Sequence, residues 1–375
     1  MYNSWVEVSK SAILHNLAQY QKIVGRSVEV MPIVKSNAYG HGMIEVARIV
    51  SRQVNWIGTV NLAEALVLRQ FGINNKIFVL SYIQPELLKE GIRQNIDLPV
   101  YDLKTAKLIS QVAKSLGRKA NVQVKIDTGT SRLGININQA IDFIEQINAL
   151  PNLKLRGVWS HFAASEENKN YTILQLKQFN EILFELVKKR IDIPYKHFAC
   201  SAAALVDSRT HFNLIRLGLS LYGLWPSPLA KKSALKKYPW LKLIPALTWK
   251  TKVVQVKEIP RGTKVGYGCS YVAKKKIKIA ILAVGYWEGY DRGLSNKGTV
   301  IINNISCPVI GRVCMNLTIV DVSRVDNVKF GDAAVLIGRM GPKSISAQDV
   351  AEKIDTINYE IVTRINPILP RIFVK

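Results

Sequence analysis

At 375 residues, with 48% hydrophobic and 21% charged residues, the chain is long enough for about two domains with substantial cores. It has no run of about 18 apolar residues, which argues against a membrane span, and its four cysteines are too scattered for a zinc site and too few for a disulfide framework. The net charge of +25 would attract anions without specificity. However, its densest basic runs, Lys231-Lys232 with Lys236-Lys237 and Lys274-Lys275-Lys276, lack the interleaved aromatics of a single-strand binder, so no specific nucleic-acid partner is expected.

The first residues, Met1-Tyr2-Asn3-Ser4-Trp5-Val6-Glu7, have neither the basic segment nor the apolar core of a signal peptide, and a cytoplasmic protein is expected. Short β-type runs follow at residues 30–34, 56–60, 77–80, 96–100, 122–126, 155–159, 196–200 and 214–217. Helical patterns lie between them, including 62–71, 103–116 (with Asp102 as its cap) and 173–189. Eight strands alternating with helices suggest an α/β fold, an N-terminal (β/α)8 TIM-type barrel, with a doubly wound open sheet as the alternative. The pattern breaks around 226–242. Beyond it come short strands at 247–257, 277–284, 299–302, 307–310, 318–322 and 333–337, and one helix at 350–354 signalled by the capping-box spacing of Ser346 and Asp349. The expected division is a barrel over 1–235 and a mainly β domain over 236–375.

The run Val34-Lys35-Ser36-Asn37-Ala38-Tyr39-Gly40-His41-Gly42 is the most informative stretch. Lys35 follows an apolar strand, at the end where parallel barrels build their sites. An amine there is a candidate Schiff-base group, the usual anchor of pyridoxal phosphate, though a surface lysine in a Gly/Asn loop fits the same residues. Arg216 ends the last candidate barrel strand, and Gly218-Leu219-Ser220 follows where barrels commonly hold a phosphate. Four separate cysteines, Cys200, Cys269, Cys307 and Cys314, read as buried thiols, and no metal site is expected.

The lysine run is similar to the cofactor-lysine motif of bacterial alanine racemases, with Ser36 where alanine is usual. Further motifs agree in order: Lys125-Ile126-Asp127-Thr128-Gly129 through Arg132-Leu133-Gly134, Ser160-His161-Phe162-Ala163, His197 through Ser201-Ala202-Ala203, Arg216-Leu217-Gly218, Gly266-Tyr267-Gly268, Gly285-Tyr286, Cys314-Met315 and Asn358-Tyr359-Glu360. They span essentially the whole chain. The resemblance implies a barrel with a β domain, pyridoxal 5'-phosphate as cofactor, a small amino-acid substrate and a homodimer with shared active sites. It gives Lys35 and the partner subunit's Tyr267 the two proton-transfer positions. Tyr39, His161, Ser201, Arg216, Gly218, Leu219 and Tyr359 would hold the cofactor, with Arg216 on the pyridine nitrogen. Arg132 and Met315 would hold the substrate carboxylate. Lys125, carbamylated in many members, would support Arg132. His197 would support Arg216, and Tyr286 with Tyr359 would narrow the pocket.

Three departures bear on substrate choice: Asn316 where aspartate is typical, Cys200 where asparagine precedes the serine, and Glu166 where aspartate is common. The implied reaction is interconversion of L- and D-alanine, supplying D-alanine for peptidoglycan. A serine or broad-spectrum racemase is the alternative, followed by a decarboxylase on the same barrel and a non-catalytic pyridoxal-phosphate carrier.

Overall fold

A computed structural model describes residues 2–375. The first strand, β1 (Ser4–Ser9), belongs to the strand-rich unit described below. Eight strands then form the barrel: β2 (Glu29–Pro32), β3 (Trp56–Thr59), β4 (Lys76–Val79), β5 (Leu98–Val100), β6 (Ala120–Asp127), β7 (Leu153–Trp159), β8 (Tyr195–His197) and β9 (Leu214–Leu217). Every ladder is parallel. The circle closes where Arg216 on β9 pairs with Met31 on β2, and single bridges such as Ile33 to Gly58 and Phe78 to Asp97 join the shorter pairs. Closure rules out the open-sheet alternative.

The strands are apolar because both faces are covered. Seven of the eight residues of β6 are buried, a run that an alternating half-exposed strand would not show. Helices begin where polar caps permit: Asp102 accepts from the Thr105 amide at 2.7 Å ahead of Leu103–Ser115, and Asn168 accepts from Tyr171 ahead of Lys169–Lys188. The segment 226–242, read from sequence as a break, contains the helix Pro228–Lys237, with Ser227 as cap and proline at its start.

The strand-rich unit takes the described residues up to Ala12, Asn37–Gly42 and Pro245–Lys375. Its main strands are β1, β10 (Leu247–Ile259), β11 (Ile277–Leu282), β12 (Thr299–Ile302), β13 (Ile305–Pro308), β14 (Thr318–Asp321), β15 (Ala333–Met340), β16 (Lys343–Ile345) and β17 (Arg371–Val374), and a short antiparallel pair, Lys264–Val265 with Tyr271–Val272, flanks the turn at Tyr267. The long β10 is the hub, pairing antiparallel with β1, β11 and β15. The capping box holds in both directions, Ser346 with Asp349, at the start of Ala347–Lys353. The compact units divide between Ile244 and Pro245, against 235 and 236 in the sequence reading, and the second unit also draws on two N-terminal segments. No helix among the described residues is long and apolar enough to cross a membrane.

Candidate active site

In the barrel unit, the expected residues gather at the strands' C-terminal ends. Lys35 comes three residues after β2 and Lys125 lies on β6. His161 follows β7, and His197 ends β8 with Ser201 opening the next helix. Arg216 is on β9 with Gly218 beyond it.

Arg216 is only 4% exposed, and the protein commits both of its terminal nitrogens. Nη1 donates to His197 Nδ1 at 2.8 Å and to the His197 carbonyl at 3.0 Å. Nη2 donates to the carbonyls of Ser160 and Phe198 at 2.7 and 2.9 Å, with His161 Nδ1 at 3.2 Å. The four Nη protons are thus used and the Nε–H is left to offer. Burial lowers the Arg216 pKa to about 10, so the guanidinium stays charged at neutral pH. Both histidines are held well below the usual imidazole range, by burial first and then by Arg216. They are therefore neutral and can accept from a cation.

Lys35 shares this cationic surrounding. Burial, then the charge of Arg132, pulls its amine below the ordinary lysine range, while Glu64 opposes the shift. Lys125 is lowered to about 8 by burial, Arg132 and Arg216, and its Nζ stands 4.5 Å from the centre of the Trp159 ring. Arg132 sits on an exposed loop shaped by Asp127, whose carboxylate accepts from the amides of Gly129, Thr130, Ser131 and Arg132 at 2.8–3.2 Å. Burial alone would raise the Asp127 pKa; those four amides together bring it below the ordinary carboxylate value. Ser201 Oγ accepts from the Gly218 amide at 2.9 Å, and the short turn Leu219–Tyr222 starts directly after it.

The lysine loop is not ordinary coil. Ser36, Asn37, Ala38 and Tyr39 all have φ of 53–54°, a left-handed turn built without glycine. Such a residue costs about 1–2 kcal/mol. Local bonds hold the turn: Glu64 accepts from the Ser36 amide at 2.7 Å, and His41 Nδ1 meets the carbonyls of Ala38 and Tyr39 at 3.1 and 2.9 Å. Gly40, at φ 84°, has no room for a Cβ, which would collide with the Val362 carbonyl.

The strand-rich unit carries the rest. Tyr39 and Tyr359 have ring centres 6.3 Å apart. Tyr267 is 72% exposed on a turn between Gly266 and Gly268, both at positive φ. Tyr286 and Met315 are exposed, and a Cβ on Gly285 would collide with the Cys314 carbonyl. Asn316 Nδ2 donates to Glu288 Oε1 at 2.9 Å, a bond that aspartate could not make. The cysteines correct the sequence reading. Cys307 alone is buried, Cys200 and Cys314 are half-buried, and Cys269, next to the Tyr267 turn, is exposed.

Residues 8–226 match the alanine racemase N-terminal domain, and residues 246–373 match its C-terminal domain. The chain belongs to the alanine racemase family. It is 38% identical to an alanine racemase of Methanococcus maripaludis over 98% of both chains. Its fold superposes on the alanine racemase of Clostridium difficile 630 with a TM-score of 0.94 at 32% identity, covering 100% of this chain and 96% of that one. It also superposes on a histidine racemase from Leuconostoc mesenteroides with a TM-score of 0.89 at 27% identity, covering 100% and 98%.

Alanine racemases depend on pyridoxal 5'-phosphate, and the barrel residues suit that group. Arg216 offers a buried cationic N–H to a ring nitrogen, Lys35 an amine of lowered pKa to an aldehyde, and the Ser201–Gly218–Leu219 corner hydroxyl and amide donors to a phosphate. Sequence reasoning did not single out Glu64, which bonds the Ser36 amide, or Asp97 and Gln123, which bond in line to His197. Gln123 had a legible signal, a polar residue inside the apolar run of β6.

Proposed function

We propose that this chain interconverts L-alanine and D-alanine with pyridoxal 5'-phosphate in the barrel, acting as a cytoplasmic homodimer that supplies D-alanine for peptidoglycan. The observation carrying this reading is Arg216. A buried guanidinium with its terminal protons committed leaves a fixed cationic donor for a pyridine nitrogen. Arginine does not readily surrender its proton, so that nitrogen stays unprotonated.

When bound, the cofactor delocalises the charge left on Cα after proton removal. A partly weakened sink favours prompt return of the proton over side reactions. The chain's own groups do the rest. Burial and Arg132 lower the Lys35 pKa, which makes the neutral amine easier to reach, and Lys35 takes or returns the Cα proton on one face. Tyr267 serves the opposite face in the partner subunit's site, a reading supported by its exposure on its turn. Arg132 and the Met315 backbone hold the substrate carboxylate. Tyr39, Tyr359, Ser201, Gly218 and Leu219 hold the cofactor, His161 and His197 fix Arg216, and Lys125 stands beside Arg132. Tyr286 and Tyr359 limit the side-chain pocket.

A broader or serine-directed racemase is the second reading. It is favoured by Asn316, a neutral amide bonded to Glu288 at the position where the family typically has a negative aspartate. Incubation of the cofactor-loaded protein with single L-amino acids in D2O tests both. Cα deuteration and D-product for alanine, with little for serine or lysine, are expected. Comparable turnover of the larger substrates would move the assignment to the second reading, and no exchange with any of them would overturn racemisation.

A further inference from the structure

Behind Arg216 a line of buried polar side chains crosses the barrel interior. His197 Nε2 lies 2.7 Å from Gln123 Oε1. Gln123 Nε2 donates to Asp97 Oδ2 at 2.8 Å. Asp97 also faces Arg156, whose Nε is 3.7 Å from the same oxygen. Asp97, Gln123 and His197 are between 0 and 1% exposed, so no solvent substitutes for a missing partner. The His197 ring stacks on Trp159 at 5.7 Å and meets the edge of Phe78 at 5.4 Å, which leaves it little freedom to turn.

The polarity of this line is determined by its far end. A carboxylate only accepts, so Gln123 must turn its NH2 towards Asp97 and its carbonyl towards His197. His197 Nε2 must then carry the proton, and Nδ1 keeps the lone pair that accepts from Arg216 Nη1. With the Gln123 amide reversed, the proton would sit on Nδ1 and oppose the Arg216 donor. Burial raises the Asp97 pKa to about 6, opposed by Arg156 and Gln123, so the carboxyl is mainly ionised at neutral pH.

We propose that Asp97 and Gln123 are positioning residues of the racemase: they set the tautomer of His197 and thereby hold the Arg216 guanidinium with its Nε–H directed to the cofactor ring. The inference rests on the proposed function for its kinetic consequence, but not for its structural one. Neither residue touches the reacting atoms.

Proton-detected ¹⁵N spectra of protein labelled at its five histidines read the tautomer directly, with or without cofactor. In the wild type, the His197 proton is expected on Nε2; a proton on Nδ1 overturns the proposal whatever any variant does. Asp97→Asn and Gln123→Met should disturb that signal and lower kcat about tenfold, the effect of one lost charge-assisted hydrogen bond, with KM changed less than about twofold. The absorbance of the bound cofactor should shift with them. In a His197→Phe background the Asp97→Asn loss should vanish. Folded variants that keep the wild-type ring signal and kcat, or losses that persist undiminished in that background, contradict the proposal. If Asp97→Asn does not fold, Gln123→Met decides on the same readouts. A wild type that shows the Nε2 proton but no racemisation would instead sink the proposed function.

Discussion

In the barrel, Lys125, His197 and Arg216 are at most 4% exposed, whereas in the strand-rich unit Tyr267, Tyr286 and Met315 are 72%, 44% and 55% exposed. The barrel groups are bound to one another and to strand-end carbonyls, and their charges are mutually adjusted. Arg216 stays cationic, its two histidines stay neutral, and Lys35 is pulled down. The second unit presents aromatic and sulfur side chains to solvent on glycine-shaped turns. One region holds buried, mutually bonded polar groups; the other carries exposed side chains on its turns, with Tyr39 and Tyr359 packed beside each other. Tyr267, on a turn whose flanking glycines take positive φ without strain, is left accessible for the role the proposed shared site gives it.

Removal of the amine should break the barrel half most severely. Lys35→Ala should abolish covalent cofactor retention and lower turnover by more than about 10³-fold, read by absorbance after desalting and by Cα deuteration. Full turnover without covalent cofactor would refute the role of Lys35.

Tyr267→Phe tests the exposed half. Loss of a proton-transfer group predicts a fall of about 10²–10⁴-fold with cofactor still bound. The side chain is mostly in solvent, so the melting free energy should move by no more than about 0.5 kcal/mol. A large loss of stability in the separated chain would mean that Tyr267 is a packing residue.

Arg132→Gln sharpens the electrostatic contrast. Arg132 lowers the Lys35 pKa, so its removal raises it, and the neutral amine is reached only at higher pH. The acidic limb of the pH–rate profile should move to more alkaline pH, and an unmoved limb would separate Lys35 from the observed titration.

Asp127→Ala should have the smallest effect, about 1 kcal/mol of stability from the lost loop bonds. The folded pKa of Asp127 is depressed, so its contribution is present above the ordinary carboxylate range and fades as pH falls through the folded value. The wild type and variant should therefore converge in urea melts at low pH, and a constant gap would point to another cause.

Much of the barrel was legible because its strands are short apolar runs separated by longer helical patterns. All eight appear, with ends shifted by a few residues. Strand β1 was not read, although Ser4–Ser9 alternates buried and half-buried residues, because its pairing partner on β10 lies 239–247 positions away. The helix Pro228–Lys237 was hidden by prolines and lysines that suggested a break, yet proline fits a helix's first turn and lysines its last. Within the site, Lys35 and Arg216 were legible from their places after and at the end of candidate strands. The left-handed turn from Ser36 to Tyr39 was not, since Ser, Asn, Ala and Tyr carry no glycine signal for positive φ. In the Asp97–Gln123–His197 line only Gln123 was signalled, as a polar residue in an apolar run; its partners lie 26 and 74 positions away and their contact is a product of the fold.

Mixing Lys35→Ala with Tyr267→Phe chains tests the shared site most directly. In a mixed twofold dimer one site regains both wild-type groups and the other loses both, so random exchange predicts recovery to about one quarter of wild-type turnover. Recovery at that level, rising with the fraction of mixed dimers measured by mass spectrometry, is the expected result. Mixed dimers with no more activity than either parent would contradict a site built from two chains.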